Sequence, residues 1–266
     1  MDLQLSGKRA LVTGSSSGVG EATARFLAAE GVTVVVHGRD SARTQAVAGD
    51  IAERGGTAHA VTADLTDDAA VQRLCEFIDG KIGGIDILVN NAGGRPKGWE
   101  RNGWLGQGTQ AWLDTYKLNV LATARMIDAF TPGMIQRGWG RVIQIASAVA
   151  IHQPPNFPDY QAAKAAEINL SRSLSRSLAG TNVTSNSLSL GIIHSPGSNN
   201  ELNGIAKELG LGDDWEPVEK KLALEIFRQT VPRVGRGTDI AALVAFLASP
   251  LAAFITGTNI VIDGGM

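Results

Sequence analysis

Seven apolar runs rich in β-branched residues punctuate the chain, and helix-length stretches separate most of them. The runs are RALVTG (9–14), VTVVVHG (32–38), TAHAVTA (57–63), IDILVNN (85–91), GRVIQIAS (140–147), VTSNSLSL (183–190) and TNIVIDGG (258–265). Short apolar runs of this kind suit strands buried on both faces. The stretches between them space apolar residues three and four apart, as in GVGEATARFLAAEG, which ends on the glycine expected just past a helix. Strands alternating with helices imply a parallel sheet covered on both sides. Right-handed crossovers then leave a doubly wound, Rossmann-type α/β fold of seven mostly parallel strands. The 266 residues fit one such domain, with no long linker, repeat or low-complexity block.

Composition excludes several classes of partner. A formal net charge of −2 gives no electrostatic support to nucleic-acid or membrane-surface binding. No apolar run approaches the roughly 18 residues of a membrane span, and MDLQLSGKRALVTG has no apolar signal region. The lone Cys75 cannot form an internal disulfide, which fits a reducing cytosol, so a cytoplasmic location is expected. Within AAVQRLCEFI this cysteine reads as a buried structural thiol. The four histidines, 37, 59, 152 and 194, share no ligand spacing with one another or with Cys75, so no metal site is expected.

TGSSSGVG (13–20) joins the first strand directly to an amphipathic helix. Gly14, Gly18 and Gly20 allow a tight turn and a close approach to a pyrophosphate, while Ser16, Ser17 and Val19 complete the turn at the positive end of the helix. A dinucleotide fold using the ribose 2′-hydroxyl wants an acid about 20 residues further on. Here the second strand ends in His37-Gly38-Arg39-Asp40. Arg39 offers a planar guanidinium suited to a 2′-phosphate, so NADP(H) is favoured over NAD(H). Otherwise Arg39 is a solvated loop charge, neutralised by Asp40.

DYQAAK (159–164) places Tyr160 and Lys164 on one face of a helix. An ammonium near a phenol favours phenolate, so Tyr160 is a candidate to give a proton to a carbonyl oxygen or take it back. Ser147, 13 residues upstream, ends a strand, where an isolated serine is more often a strand-end hydroxyl than a donor to a developing alkoxide. Tyr116 has Val120 at +4 and reads as packing.

These pieces occur in a set order: TGSSSGVG, the ADL of Asp64 and Leu65, NNAG at 90–93, Asn119, Ser147, the Tyr160/Lys164 pair and a terminal DGG. In that order the chain resembles the classical short-chain dehydrogenase/reductases over nearly its whole length, and within them the 3-oxoacyl-thioester reductase branch. The resemblance implies hydride transfer between nicotinamide and a small-molecule carbonyl or secondary alcohol. It implies that Lys164 also binds the nicotinamide ribose and that Asn119 holds a water linking Lys164 to solvent. It places Asp64 and Leu65 by the adenine, with Asp64 also a possible N-cap of the helix that follows. Asn91, Ala92, Gly93, Gly191, Ile193 and Ser195 lie along the rest of the cofactor. It implies a homotetramer formed through the helices carrying Asn119 and Tyr160. An NAD(H)-dependent alcohol dehydrogenase and a dinucleotide-sensing regulator without turnover are the alternatives.

The chain departs from the family after the sixth strand, where Leu190 stands in place of the usual proline and Ser195 in place of threonine. Leu190 frees a φ angle and restores a backbone N–H, which predicts a less rigid loop and weaker cofactor binding. Residues 94–108 and about 194–232 fit the α/β rhythm poorly and follow strand ends, so they are candidate walls or lid of a substrate site. There Arg95 reads as a partner for an anionic substrate group or as a solvated charge, and Trp99 and Trp104 as pocket walls or loop anchors. His152 reads as a substrate contact or an exposed imidazole.

Overall fold

In the computed structural model all seven runs pair into one parallel sheet. The structure describes every residue except 96–103, 106–107, 197 and 213. The strands are β1 (Arg9–Val12), β2 (Thr33–Gly38), β3 (Thr57–Thr62), β4 (Ile87–Asn90), β5 (Gly140–Ser147) and β6 (Val183–Leu190). A two-residue pair follows, β7 (Ile193–His194) with β8 (Gly235–Arg236), and then β9 (Asn259–Ile262). The large sheet runs β3-β2-β1-β4-β5-β6-β9, with every neighbouring pair parallel. Strand order therefore reverses between β1 and β4, and a crevice opens at their carboxyl ends.

Alternation along the strands sends side chains to two cores. Ala10, Val12, Val34 and Val36 meet α1 (Gly18–Ala29), α2 (Ser41–Glu53) and the later α10 (Gly237–Ala248). Leu11, Val35, Leu88 and Val142 face the other way, onto α3 (Asp68–Phe77) and onto α5 (Ala122–Gln136), which α4 (Gly108–Tyr116) precedes. Burying each such side chain stabilises the fold by about 1.5–3 kcal/mol, which is why runs of valine and isoleucine form the sheet centre.

Between α4 and α5 the helix widens into one π turn, Lys117–Leu121, and the buried Asn119 sits inside it. Such turns insert one residue and re-aim the side chains around it. After β5 come α6 (Val149–His152) and the 20-residue α7 (Pro158–Ser177). Residues 194–232 carry α8 (Asn199–Glu208) and α9 (Trp215–Lys221) around a small core of their own, made by Leu202, Ala206, Val218, Leu222 and Val234.

Two local expectations are corrected. Asp67, not Asp64, caps α3, accepting the amides of Ala69 and Ala70 at 2.9 and 3.4 Å. Asp64 is occupied instead by the amide and hydroxyl of Thr66 at 2.9 and 2.8 Å, because the helix starts three residues later. Cys75 is half-buried at the edge of its core rather than fully enclosed, and burial pushes its thiol up, away from thiolate.

Candidate active site

The glycine turn after β1 is locked from both sides. Gly14 and Gly18 adopt φ of +66° and +62°, and a Cβ on Gly14 would lie 2.9 Å from the Ala92 Cα. From β4, the Asn91 side-chain amide donates to the carbonyls of Thr13 and Gly14 at 2.9 and 3.1 Å. The buried Thr13 hydroxyl oxygen accepts the amides of both Asn91 and Ala92 at 3.0 Å. From β2, His37 Nδ1 accepts the Gly14 amide. Thus Asn91 and Ala92 act on the turn itself, and His37 is a functional residue that sequence reasoning passed over.

Beyond this lock lies a cavity of about 300 Å³, lined among others by Ser16, Ser17, Arg39, Arg43, Asp64 and Leu65. Gly14, Gly38, Ala92 and Gly93 also reach it. Ser17, the N-cap of α1, makes no side-chain cap bond, and its carbonyl accepts the Glu21 amide at 3.2 Å. The amides of Gly18, Val19 and Gly20 thus open the unpaired, positive end of the helix toward the crevice. Asp40 is committed to Arg43, accepting its amide at 3.0 Å and its Nε at 3.1 Å, rather than to Arg39. Among the described residues the Arg39 guanidinium has no acceptor. Glycine where the backbone must be close and an open helix end together fit the pyrophosphate of a nicotinamide dinucleotide.

At the other end of the crevice β5, α7 and the π turn converge. Ser147 ends β5 half-buried, its Oγ accepting the Val149 amide at 3.4 Å. Tyr160 lies half-buried in the first turn of α7, and Lys164, one turn on, is buried with its Nζ 5.7 Å from the centre of the Tyr160 ring. Among the described residues the Ser147 and Tyr160 hydroxyl protons have no acceptor. Asn119 closes an amide-to-amide clamp on Gly94, accepting its N–H and donating to its carbonyl, both at 2.9 Å, and donates to Thr115 O at 2.8 Å. A Cβ on Gly93 would lie 2.6 Å from Asn119 Oδ1 and 3.3 Å from Lys164 Nζ, so only glycine lets the three meet.

Lys164 Nζ donates to the Ile145 carbonyl at 3.0 Å and to both carboxylate oxygens of Glu167, at 3.1 and 2.9 Å. Burial works against the ammonium, but Glu167 and then Tyr160 outweigh it, so Lys164 is held above the ordinary lysine range. Glu167, itself buried, was not singled out from the sequence. Its position three residues beyond Lys164, on the same helix face, was the available signal.

The third wall comes from the chain after β6. Leu190 is buried in the sheet between β5 and β9, and its carbonyl accepts the Ala148 amide at 2.8 Å. A Cβ on Gly191 would lie 2.6 Å from the Asp263 Cα. Ile193 packs on Gly235 across the β7–β8 pair, and Ser195 stands over Gly18 with its hydroxyl 3.1 Å from that of Ser198. His152 Nε2 pairs with Asp263 Oδ2 at 2.9 Å, and the Asp263 carbonyl accepts from Gln229 at 2.8 Å. The DGG motif therefore ties α6 to the end of the 194–232 segment.

Arg95 pairs with Glu201 of α8 at 2.8 Å and stacks 4.7 Å over the Phe157 ring, so it bridges that segment to the start of α7. Trp104 is exposed and contacts Trp112 at 5.9 Å, Tyr116 is half-buried, and Trp99 lies outside the described residues.

The chain as a whole has counterparts. The family described as enoyl-(acyl carrier protein) reductase matches residues 14–266. The 3-oxoacyl-(acyl-carrier-protein) reductase FabG of Aquifex aeolicus is 33% identical over 270 residues, covering 100% of both chains. L-sorbose reductase from Gluconobacter frateurii, solved with NADPH and L-sorbose, superposes with a TM-score of 0.91 at 30% identity, covering 100% of this chain and 98% of that one. A 3-oxoacyl (acyl-carrier-protein) reductase from Agrobacterium tumefaciens C58 with NADP bound gives 0.86 at 31% identity, covering 100% and 96%. Matched over its full length by reductases of this kind, the chain belongs to the short-chain dehydrogenase/reductase family.

Proposed function

We propose that this protein is an NADP(H)-dependent oxidoreductase that interconverts a small-molecule ketone, such as a 3-oxoacyl group, and the secondary alcohol. The observation that carries this reading is the pair of unspent hydroxyl protons on Ser147 and Tyr160 beside a buried Lys164 ammonium. Bound nicotinamide would supply or accept the hydride. Tyr160 gives its proton to the carbonyl oxygen in reduction and takes it back in oxidation, and Ser147 donates a hydrogen bond to the oxygen as charge develops on it. Lys164, one turn along α7 from Tyr160, would reach the ribose hydroxyls. Asn119 fixes the floor beneath Lys164 through Gly94 and holds the water that links the lysine to solvent. The family description names an enoyl reductase, but two donors set to load protons onto oxygen suit C=O better than C=C.

Ser16, Ser17 and the amides of Gly18–Gly20 would hold the pyrophosphate, Arg39 the 2′-phosphate, and Asp64 and Leu65 the adenine. Gly191, Ile193 and Ser195 would border the nicotinamide, with residues 194–232 as the lid. The NADPH and NADP named in two structural neighbours support the phosphorylated cofactor. A homotetramer is supported by Leu113 and Leu121, which stay 54% and 46% exposed beside Asn119. No helix among the described residues is long and apolar enough to cross a membrane, in keeping with a cytoplasmic location.

A panel of ketones mixed with NADPH or NADH tests the reading through loss of reduced-cofactor absorbance. Turnover with NADPH is expected, falling by about a hundredfold or more in Tyr160→Phe. Binding without turnover on any ketone or alcohol would mark a dinucleotide sensor, and preference for NADH would mark an NAD(H)-dependent enzyme.

A further inference from the structure

Glu167 is a third ionisable group on the proton-handling face of α7, and the reading of Tyr160 and Lys164 above gives it no task. Its side chain is 2% exposed, and both its oxygens contact the Lys164 ammonium. A buried carboxylate in two hydrogen bonds to an ammonium is a counter-ion, and a counter-ion cancels much of the field that the ammonium sends elsewhere. We propose that Glu167 is a positioning residue that anchors Lys164 and offsets its charge at Tyr160, so that the phenol stays proton-loaded at neutral pH and the site is poised for carbonyl reduction rather than alcohol oxidation.

The surroundings leave Glu167 as the group able to do this. The charges acting on Lys164 are Glu167 and Tyr160, and the charge acting on Glu167 is Lys164. From β6, Ser185 meets α7 through Ser171 at 3.0 Å, and strand alternation puts Ser187 and its β5 neighbour Gln144 on the same face, all uncharged. The π turn contributes the neutral Asn119, and α4 contributes Thr115, whose hydroxyl donates to the buried Asp159 at 2.5 Å. Gly93 brings only backbone. The Lys164 ammonium has three N–H donors. One goes to Ile145 and the other two to the carboxylate oxygens, so Glu167 holds the lysine in place.

The magnitude is measurable. Glu167 lies seven residues from Tyr160, roughly 10 Å along the helix. A unit charge at that distance, in an effective dielectric of about 20, moves a titration by about one pH unit. The proposal rests on Tyr160 being the proton donor, but its test needs no substrate. The chain has two tyrosines, 116 and 160, so subtracting the Tyr160→Phe variant from each protein isolates the Tyr160 phenolate absorbance. In Glu167→Gln, and in Glu167→Met should the glutamine variant not fold, the midpoint of that absorbance should fall by about one pH unit. Glu167→Asp keeps the charge and should titrate with the unsubstituted protein. An unchanged midpoint overturns the proposal, as does one that rises, which would mean that Glu167 serves only to keep Lys164 protonated. Failure to turn over any ketone would leave this titration intact and count against the proposed function alone.

Discussion

The His37 imidazole accepts the Gly14 amide through Nδ1 at 3.1 Å, and its Nε2 lies 3.2 Å from the Ala63 carbonyl. One neutral ring therefore stitches the glycine turn to β2 and to the end of β3, with the proton on Nε2. Burial is the main reason that its pKa is lowered to about 4. The unfolded chain takes up that proton near pH 6.5, so the stabilisation is complete above that pH and is lost as pH falls toward 4. The loss amounts to about 3 kcal/mol. Urea unfolding at pH 7 and pH 4 should show it, and His37→Asn should flatten the dependence by a similar amount.

Arg39 has no acceptor among the described residues, whereas Asp40 is bound to Arg43. A charge-assisted bond to the 2′-phosphate would be worth about 1.5–3 kcal/mol. Arg39→Ala should lower kcat/KM for NADPH by roughly tenfold to a hundredfold and leave that for NADH unchanged. Parallel assays with the two cofactors read the difference directly.

Thr13 is 1% exposed and is the shared acceptor for two amides of the β4 loop. Thr13→Val preserves shape but leaves the Ala92 amide without a partner and the Asn91 amide with the Val89 carbonyl alone, at a cost of about 1–3 kcal/mol. Denaturant titration should show that loss, and NADPH binding should weaken because the turn is anchored to the same loop.

A Cβ on Gly20 would lie 2.5 Å from the Gly14 carbonyl oxygen, a backbone atom that cannot step aside without moving the turn. Gly20→Ala should therefore cost about 1–3 kcal/mol in stability. It should also raise the NADPH dissociation constant by tenfold or more, measured by fluorescence titration.

Elements whose cause is local were legible in the sequence. The strands announce themselves by short runs of apolar and β-branched residues bounded by turns, and the α1 turn by its glycines. Groups whose partners arrive from far along the chain were not. His37 depends on Gly14 and Ala63, 23 and 26 residues away, and Arg95 on Glu201, 106 residues away. Asp64 and Asp67 both precede a helix, and only the starting residue of α3 decides which of them caps it. Glu167 sits at a readable spacing from Lys164. Its burial, though, follows from how α7 lies on β5 and β6, and helical periodicity alone does not give that.

The reversal of strand order between β1 and β4 has a consequence for how such a protein can diversify. The residues proposed to grip the adenosine and its phosphates lie before residue 95, apart from the closing contacts at 191–195. Those proposed to move the proton lie after residue 118. On the proposed roles, dinucleotide choice and carbonyl choice lie in two largely separate stretches of chain, which meet at the β4–β5 pairing, where Gly93 and Gly94 touch Asn119, and where α1 and α10 share one core. A chimera joined between β4 and α4 would draw its cofactor from one parent and its substrate from the other, provided that the contacts of Gly93 and Gly94 with Asn119 are kept.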